Sequence, residues 1–264
     1  MKKEEYDNVY VCGGSLIDSS HILTAAHCIK QYRPEELRVS WTSHSILTSI
    51  SINFFHRQIR LGEWDVNNDS EFYPNVELDV LSISIHPDFY SGNLYNDIAI
   101  IKLDGFLDFQ RNPHISPVCL PDSLAEFSGE RCFVSGWGKD AFGGDGSYQH
   151  TLKEVDVPVL DHGDCERKLQ RTRLGYEFTL HPGFVCAGGE EGKDSCKGDG
   201  GSPLVCQVEV HTDMPRLYFY PISLGGWILA VGRVGQLGSW VWAEGCSGGL
   251  CQGNPVVVTH LPQH

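Results

Sequence analysis

Three short strings hold the residue types of nucleophilic catalysis. Thr24-Ala25-Ala26-His27-Cys28 offers an imidazole, and Asn96-Asp97-Ile98-Ala99-Ile100 offers a carboxylate. Asp194-Ser195-Cys196-Lys197-Gly198-Asp199-Gly200-Gly201-Ser202-Pro203 is a glycine-rich loop. Acyl transfer by a hydroxyl needs a base that takes its proton. It also needs a carboxylate that holds the base in the right tautomer, and N–H donors for the oxyanion. Glycines supply such donors because no side chain covers the backbone. His, then Asp, then the loop is the chain order of one triad design.

Those strings have to be positioned by short strands. Gly (29) and Pro (13) are frequent among the 264 residues, and long stretches of helical period are scarce. Segments rich in Val, Ile, Leu or Phe, bounded by turn residues, read as strands over Val9–Leu16, Val76–Ile85, Ile98–Leu103, Arg131–Ser135, Leu152–Val159 and Pro203–Val210. Ala25–Ile29 reads as a helical turn. Asp161–Arg171 reads as a short amphipathic helix with Asp161 as N-cap. The pattern predicts an all-β barrel or sandwich, and no linker divides residues 1–264.

Composition narrows the function classes. The net charge of −14 argues against binding a phosphate backbone, so no nucleic-acid partner is expected. No apolar run approaches the roughly 20 residues of a membrane helix, so no membrane partner is expected. Ten cysteines point to an oxidising, extracellular compartment. Met1–Tyr10 has charge but no apolar core and is not a signal peptide, which places the expected natural N-terminus upstream.

Further strings extend the pattern: CGGSLI at Cys12–Ile17, PVCLP at Pro117–Pro121, SGWG at Ser135–Gly138 and FVCAGG at Phe184–Gly189. In this order, from about Val11 to Cys206, they resemble the chymotrypsin/trypsin-like serine protease family. The resemblance implies a double six-stranded β-barrel. His27 then matches the catalytic base and Asp97 its orienting carboxylate. Gly198, Asp199 and Gly200 form the oxyanion loop. Where the family reads Gly-Asp-Ser-Gly-Gly-Pro, this chain reads Gly198-Asp199-Gly200-Gly201-Ser202-Pro203. Gly200 therefore occupies the nucleophile position, and a glycine has no oxygen with which to form an acyl-enzyme. Ser202, two residues on, lies up to about 7 Å from that position along an extended chain. Productive geometry tolerates about 0.5 Å.

GEWDV (Gly62–Val66), KEVDVPVL (Lys153–Leu160), TRLG (Thr172–Gly175) and the string Cys186–Gly201 are most similar to arthropod clip-domain serine protease homologues of the prophenoloxidase-activating-factor type. That subgroup is non-catalytic. The resemblance implies a cofactor secreted into haemolymph, acting in immune cascades that lead to melanisation. Active clip proteases and prophenoloxidase are its implied partners, and no cofactor is required. One competing reading is an active trypsin-like endopeptidase cleaving after Arg or Lys. Another is an unexpressed gene fragment.

The resemblance assigns further residues. Asp194 matches the base of a trypsin-type specificity pocket, here expected to be inherited and unused. Asp199 matches the partner of a new N-terminal amine in activated enzymes, and no activation-site string occurs in this chain. Glu63, Asp65, Asp69 and Glu71 resemble the calcium loop of some members, although a solvated acidic loop is the expected reading. Asn68-Asp69-Ser70 is a glycosylation sequon. Implied disulfides are Cys12–Cys28, Cys132–Cys206 and Cys165–Cys186. Cys196 is expected to pair with Cys246 or Cys251, and Cys119 with a segment upstream.

Three places depart from the family. The chain opens near the second strand, so the first barrel is expected to be short of a strand. Residues 39–58 interrupt the match, and deleting them joins Pro34–Arg38 to Ile59–Trp64 in normal family order. Their ends can be encoded as splice-like borders, so the block reads as a retained intron, with a genuine loop insertion as the alternative. Residues 207–264 form an atypical tail that reads as frame-shifted, with the last strands of the second barrel altered. Exposed edges and weak folding follow from that composition.

Overall fold

The computed structural model describes residues 9–34, 38–41, 47–52, 58–61, 65, 78–118, 120–121, 126–141, 146–208, 216–221 and 255–259. Strands dominate, with two short helices.

The first half is built on β1 (Val9–Leu16), β2 (His21–Thr24), β6 (Leu78–Ile85) and β7 (Ala99–Leu103). β7 shows why the sequence folds this way. Ala99, Ile101 and Leu103 point inward and are buried, whereas Ile100 and Lys102 alternate outward. That is the period of two expected of a half-buried strand. Fully burying Ile101 contributes roughly 1.5–3 kcal/mol.

Three more strands, β3 (Arg38–Trp41), β4 (Leu47–Ile52) and β5 (Gln58–Leu61), complete a closed barrel in the order β1-β2-β7-β6-β3-β5-β4. The strand count differs from the sequence expectation, which left this barrel one strand short. β4 lies inside residues 39–58 and pairs antiparallel with both β1 and β5. It closes the barrel at the β1 edge. β3 and β5 run parallel.

The second half is a six-stranded sheet in the order β12-β11-β8-β9-β10-β13. Its members are β8 (Arg131–Gly136), β9 (Lys153–Leu160), β10 (Phe184–Gly188), β11 (Pro203–Val208), β12 (Arg216–Pro221) and β13 (Pro255–Thr259). The two outer strands come from residues 207–264, with β12 on β11 and β13 on β10.

Helix α1 (Ala26–Ile29) follows β2, and α2 (His162–Gln170) follows β9. Asp161 caps α2 by accepting from the Asp164 N–H at 3.0 Å, and Cys165 and Leu169 bury one face against Leu180 and Phe184. A cap of this kind contributes about 1 kcal/mol. Leu23 and Ile98 of the first half pack with Val118 and Val205, and this cluster joins the two halves. No helix of the described residues is long and apolar enough to cross a membrane.

Candidate functional site

The imidazole of His27 is delivered by α1. Cys28, its neighbour, is disulfide-bonded to Cys12 on β1 with a Cα–Cα distance of 6.1 Å, which fixes α1 against the strand. Asp97 precedes β7 and is fully buried. Asn96, with φ of 56°, turns the chain into that position. Asn tolerates this left-handed conformation better than most residues.

The Asp97 carboxylate makes two contacts with His27. Oδ2 lies 2.6 Å from Nδ1, and Oδ1 accepts from the His27 N–H at 2.7 Å. The first contact places the ring proton on Nδ1 and leaves Nε2 as the reactive nitrogen. Nε2 faces sulfur, at 3.3 Å from Cys28 Sγ and 4.0 Å from Cys12 Sγ.

The glycine-rich loop is tied to both halves. The Gly13 N–H of β1 donates to Gly200 O at 2.6 Å, and the Lys139 N–H donates to Lys197 O at 3.0 Å. Gly198 has φ of +107° and Gly201 φ of +76°, conformations that favour glycine. A Cβ on Gly201 would sit 2.3 Å from Gly13 O and 2.4 Å from Thr24 Oγ1. Gly200 has no positive φ. No left-handed conformation therefore requires a glycine there. Among the described residues, neither the Gly198 N–H nor the Gly200 N–H has an acceptor.

Ser202 is buried and packs on the far side of the loop. A Cβ on Gly13 would collide with its Oγ at 1.9 Å. Its hydroxyl therefore lies against Gly13 of β1.

Two buried carboxyls underlie the loop. Asp199 accepts from the Gly138 N–H and the Cys196 N–H, both at 2.8 Å. Burial nevertheless pushes its pKa up to about 6, against the pull of those two donors. Gly136 and Gly138 leave room for this carboxylate, because a Cβ on either would fall within 2.5 Å of it. Asp194 is pushed up to about 7, chiefly by burial and further by the charge of Asp199. Its Oδ1 accepts from the Ser195 N–H, while its buried Oδ2 has no partner among the described residues.

The three expected disulfides are formed. Cys132–Cys206 joins β8 to β11, and Cys165–Cys186 joins α2 to β10. Cys196 is buried with its Sγ 3.6 Å from Ala141 O. Its expected partners Cys246 and Cys251, and also Cys119, lie outside the described residues. So do Glu63, Asp69 and Glu71 of the acidic loop. Asp65 makes an isolated bridge with Thr151.

Two features escaped sequence reasoning. Tyr148 lays its ring against Gly198, with Lys139 Nζ 5.5 Å from the ring centroid. An exposed network also ties the turn before Asp194 to the sheet. Arg131 bonds Asp156 and Glu190, and Lys193 reaches Asp156 at 2.6 Å. Hydrogen bonds from Lys193 and Arg131 hold Asp156 down at about 2, and Arg131 likewise lowers Glu190. No motif announces such a network, since its members come from β8, β9 and the turn after β10.

The Trypsin family profile matches residues 2–214. The chain belongs to the trypsin family. Phenoloxidase-activating factor 2 of Galleria mellonella is 41% identical over 241 residues, covering 90% of this chain and 65% of that protein. Inactive CLIP domain-containing serine protease A3 of Aedes aegypti is 40% identical over 240 residues, covering 90% of this chain and 42% of that protein. Trypsin-3 of Salmo salar is 36% identical over 204 residues, covering 76% of this chain. The chain thus spans less than two thirds of the first two relatives. Trypsin-family members named as inactive and members named as trypsins both resemble it.

Proposed function

We propose that this trypsin-family chain is a non-catalytic protease homologue. Its role is that of a secreted haemolymph cofactor in an immune proteolytic cascade that activates prophenoloxidase and leads to melanisation. Gly200 carries this reading. Its support is that the His27 imidazole is paired with the Asp97 carboxylate at 2.6 Å while residue 200, a glycine, has no hydroxyl that could attack a carbonyl. Ser202, two residues along the chain and lying against Gly13, is read as no substitute. The names of the two arthropod relatives support the cascade assignment.

Without a nucleophile the domain acts through contact. Its loops present a surface for protein partners, here an active clip protease and prophenoloxidase. Asp194 remains as an inherited pocket base that no cleavage reaction uses.

A reconstitution tests this. Prophenoloxidase is incubated with an active clip protease, with and without the purified protein. Phenoloxidase activity is expected to rise several-fold when the protein is present, and the protein alone is expected to hydrolyse no Arg or Lys peptide. Hydrolysis by the protein alone, abolished by His27→Ala, would establish the endopeptidase reading instead.

A further inference from the structure

We infer that the outward face of α2 and the turn after it form a docking surface for an acidic peptide segment of a protein partner. The inference rests on the contact role proposed above and says where one such contact is made. The chain carries a net charge of −14, yet residues 167–176 hold four cations and no anion. The cations are Arg167, Lys168, Arg171 and Arg173, and Tyr176 ends the run.

Helical geometry gathers three of these on one side. Cys165 and Leu169 turn inward and are buried. Arg167, Lys168 and Arg171 are exposed on the other side, where residues three and four apart are neighbours. Nearby acids leave much of this charge open. Asp164 engages Arg167, and Glu166 turns aside to accept from the Leu180 N–H at 2.8 Å. The Lys168 and Arg171 side chains make no hydrogen bond or ion pair among the described residues.

The platform is rigid. The Cys165–Cys186 disulfide fastens α2 to β10. The turn closes through the Thr172 N–H to Leu169 O at 3.0 Å, the Gly175 N–H to Thr172 O at 3.2 Å and the Phe178 N–H to Gly175 O at 3.1 Å. Leu174 and Phe178 pack into the cluster beneath α2, while Tyr176 between them is 87% exposed. Arg and Tyr are enriched among the residues that dominate protein interfaces, and a fixed scaffold lowers the ordering cost of binding. Charge selects the occupant. Carboxylates accept strong hydrogen bonds from Arg and Lys, and the acidic remainder of the chain steers an acidic segment toward this face.

The test is fluorescence anisotropy of a labelled Glu- and Asp-rich peptide titrated with the purified full chain. Saturable binding is expected, weakened by added salt and at least about 10-fold weaker for the corresponding Gln and Asn peptide. Lys168→Glu combined with Arg171→Glu should lower affinity at least about 10-fold, and Tyr176→Ala about 5-fold. Lys102→Glu combined with Lys153→Glu makes the same change in net charge on β7 and β9, and should leave affinity within about 2-fold. Carbodiimide coupling in the unaltered chain should join peptide carboxylates to Lys168, as read by mass spectrometry, which decides the matter even where a variant fails to fold. Equal affinity for the two peptides, equal losses in the two double variants, or coupling confined to other lysines overturns the inference. So does a sulfated oligosaccharide that binds this face while the acidic peptide does not. Peptide binding is read apart from phenoloxidase activity and hydrolysis, so failure of this surface and failure of the cofactor role give different results.

Discussion

The Gly13 N–H donates to the Gly200 carbonyl at 2.6 Å, so strand β1 of the first barrel directly holds the glycine-rich loop that precedes β11. The same strand carries Cys12, whose disulfide holds His27. His27 and Gly200 are therefore both tied to one strand.

Close packing around that strand makes Gly201 intolerant of any side chain. Gly201→Ala places a methyl against Gly13 O and Thr24 Oγ1 at a φ of +76°. The expected loss is at least about 3 kcal/mol, from strain plus displaced backbone. Gly175→Ala is the control, because its φ is +79° and nothing lies within 4 Å. It should cost about 1 kcal/mol. Urea unfolding of both variants measures the difference, and equal losses would refute the packing argument.

Stability is expected to fall as pH rises from about 4 to 7. Asp194 and Asp199 have folded pKa values raised to about 7 and about 6. The folded chain binds more protons than the unfolded chain across that window, so stability decreases through it and levels off above. Asp194→Asn keeps an acceptor for the Ser195 N–H and removes the buried charge. It should flatten much of the slope, by roughly 2–4 kcal/mol at pH 7.5. Thermal melting between pH 4 and 8 reads this, and an unchanged slope in the variant would count against it.

The opposite sign holds below pH 4. Asp156 and Glu190 are held below their usual range by Arg131 and Lys193. Their contribution is present above about pH 4 and is lost as pH falls toward 2. Because the network is exposed, salt should weaken it. Hydrogen exchange in residues 190–201 is expected to quicken at pH 2.5 and on Arg131→Ala at neutral pH. Exchange that ignores both changes would show that the network does not restrain this loop.

We expect the spliced message to lack the codons for residues 39–58. Sequencing of the transcript checks it. A dominant message containing them would make β4 the natural partner of β1 and remove the retained-intron reading.

Local chemistry made much of the fold legible. β1 falls on the expected boundaries, and β6, β7, β8, β9 and β11 lie within two residues of theirs, because alternation and turn residues mark half-buried strands. Asp161 and α2 were equally plain. The site was readable through His27, Asp97 and the glycine-rich loop, since each motif is contiguous in the chain. Strand order was not. Nothing local says that β4 lies on β1, or that β3 runs parallel to β5. The turn of His27 Nε2 toward the disulfide sulfurs, and the four-charge network across β8, β9 and the pocket turn, depend on residues brought together only by folding.

Covalent labelling by a fluorophosphonate, followed by intact-mass measurement, tests the missing hydroxyl most directly. The probe adds only where a serine oxygen can be deprotonated beside the imidazole. The purified chain is expected to take up no label, while Gly200→Ser, at a position whose φ is not positive, is expected to gain it in a His27-dependent manner. Stoichiometric labelling of the unaltered chain, lost on His27→Ala, would contradict the account.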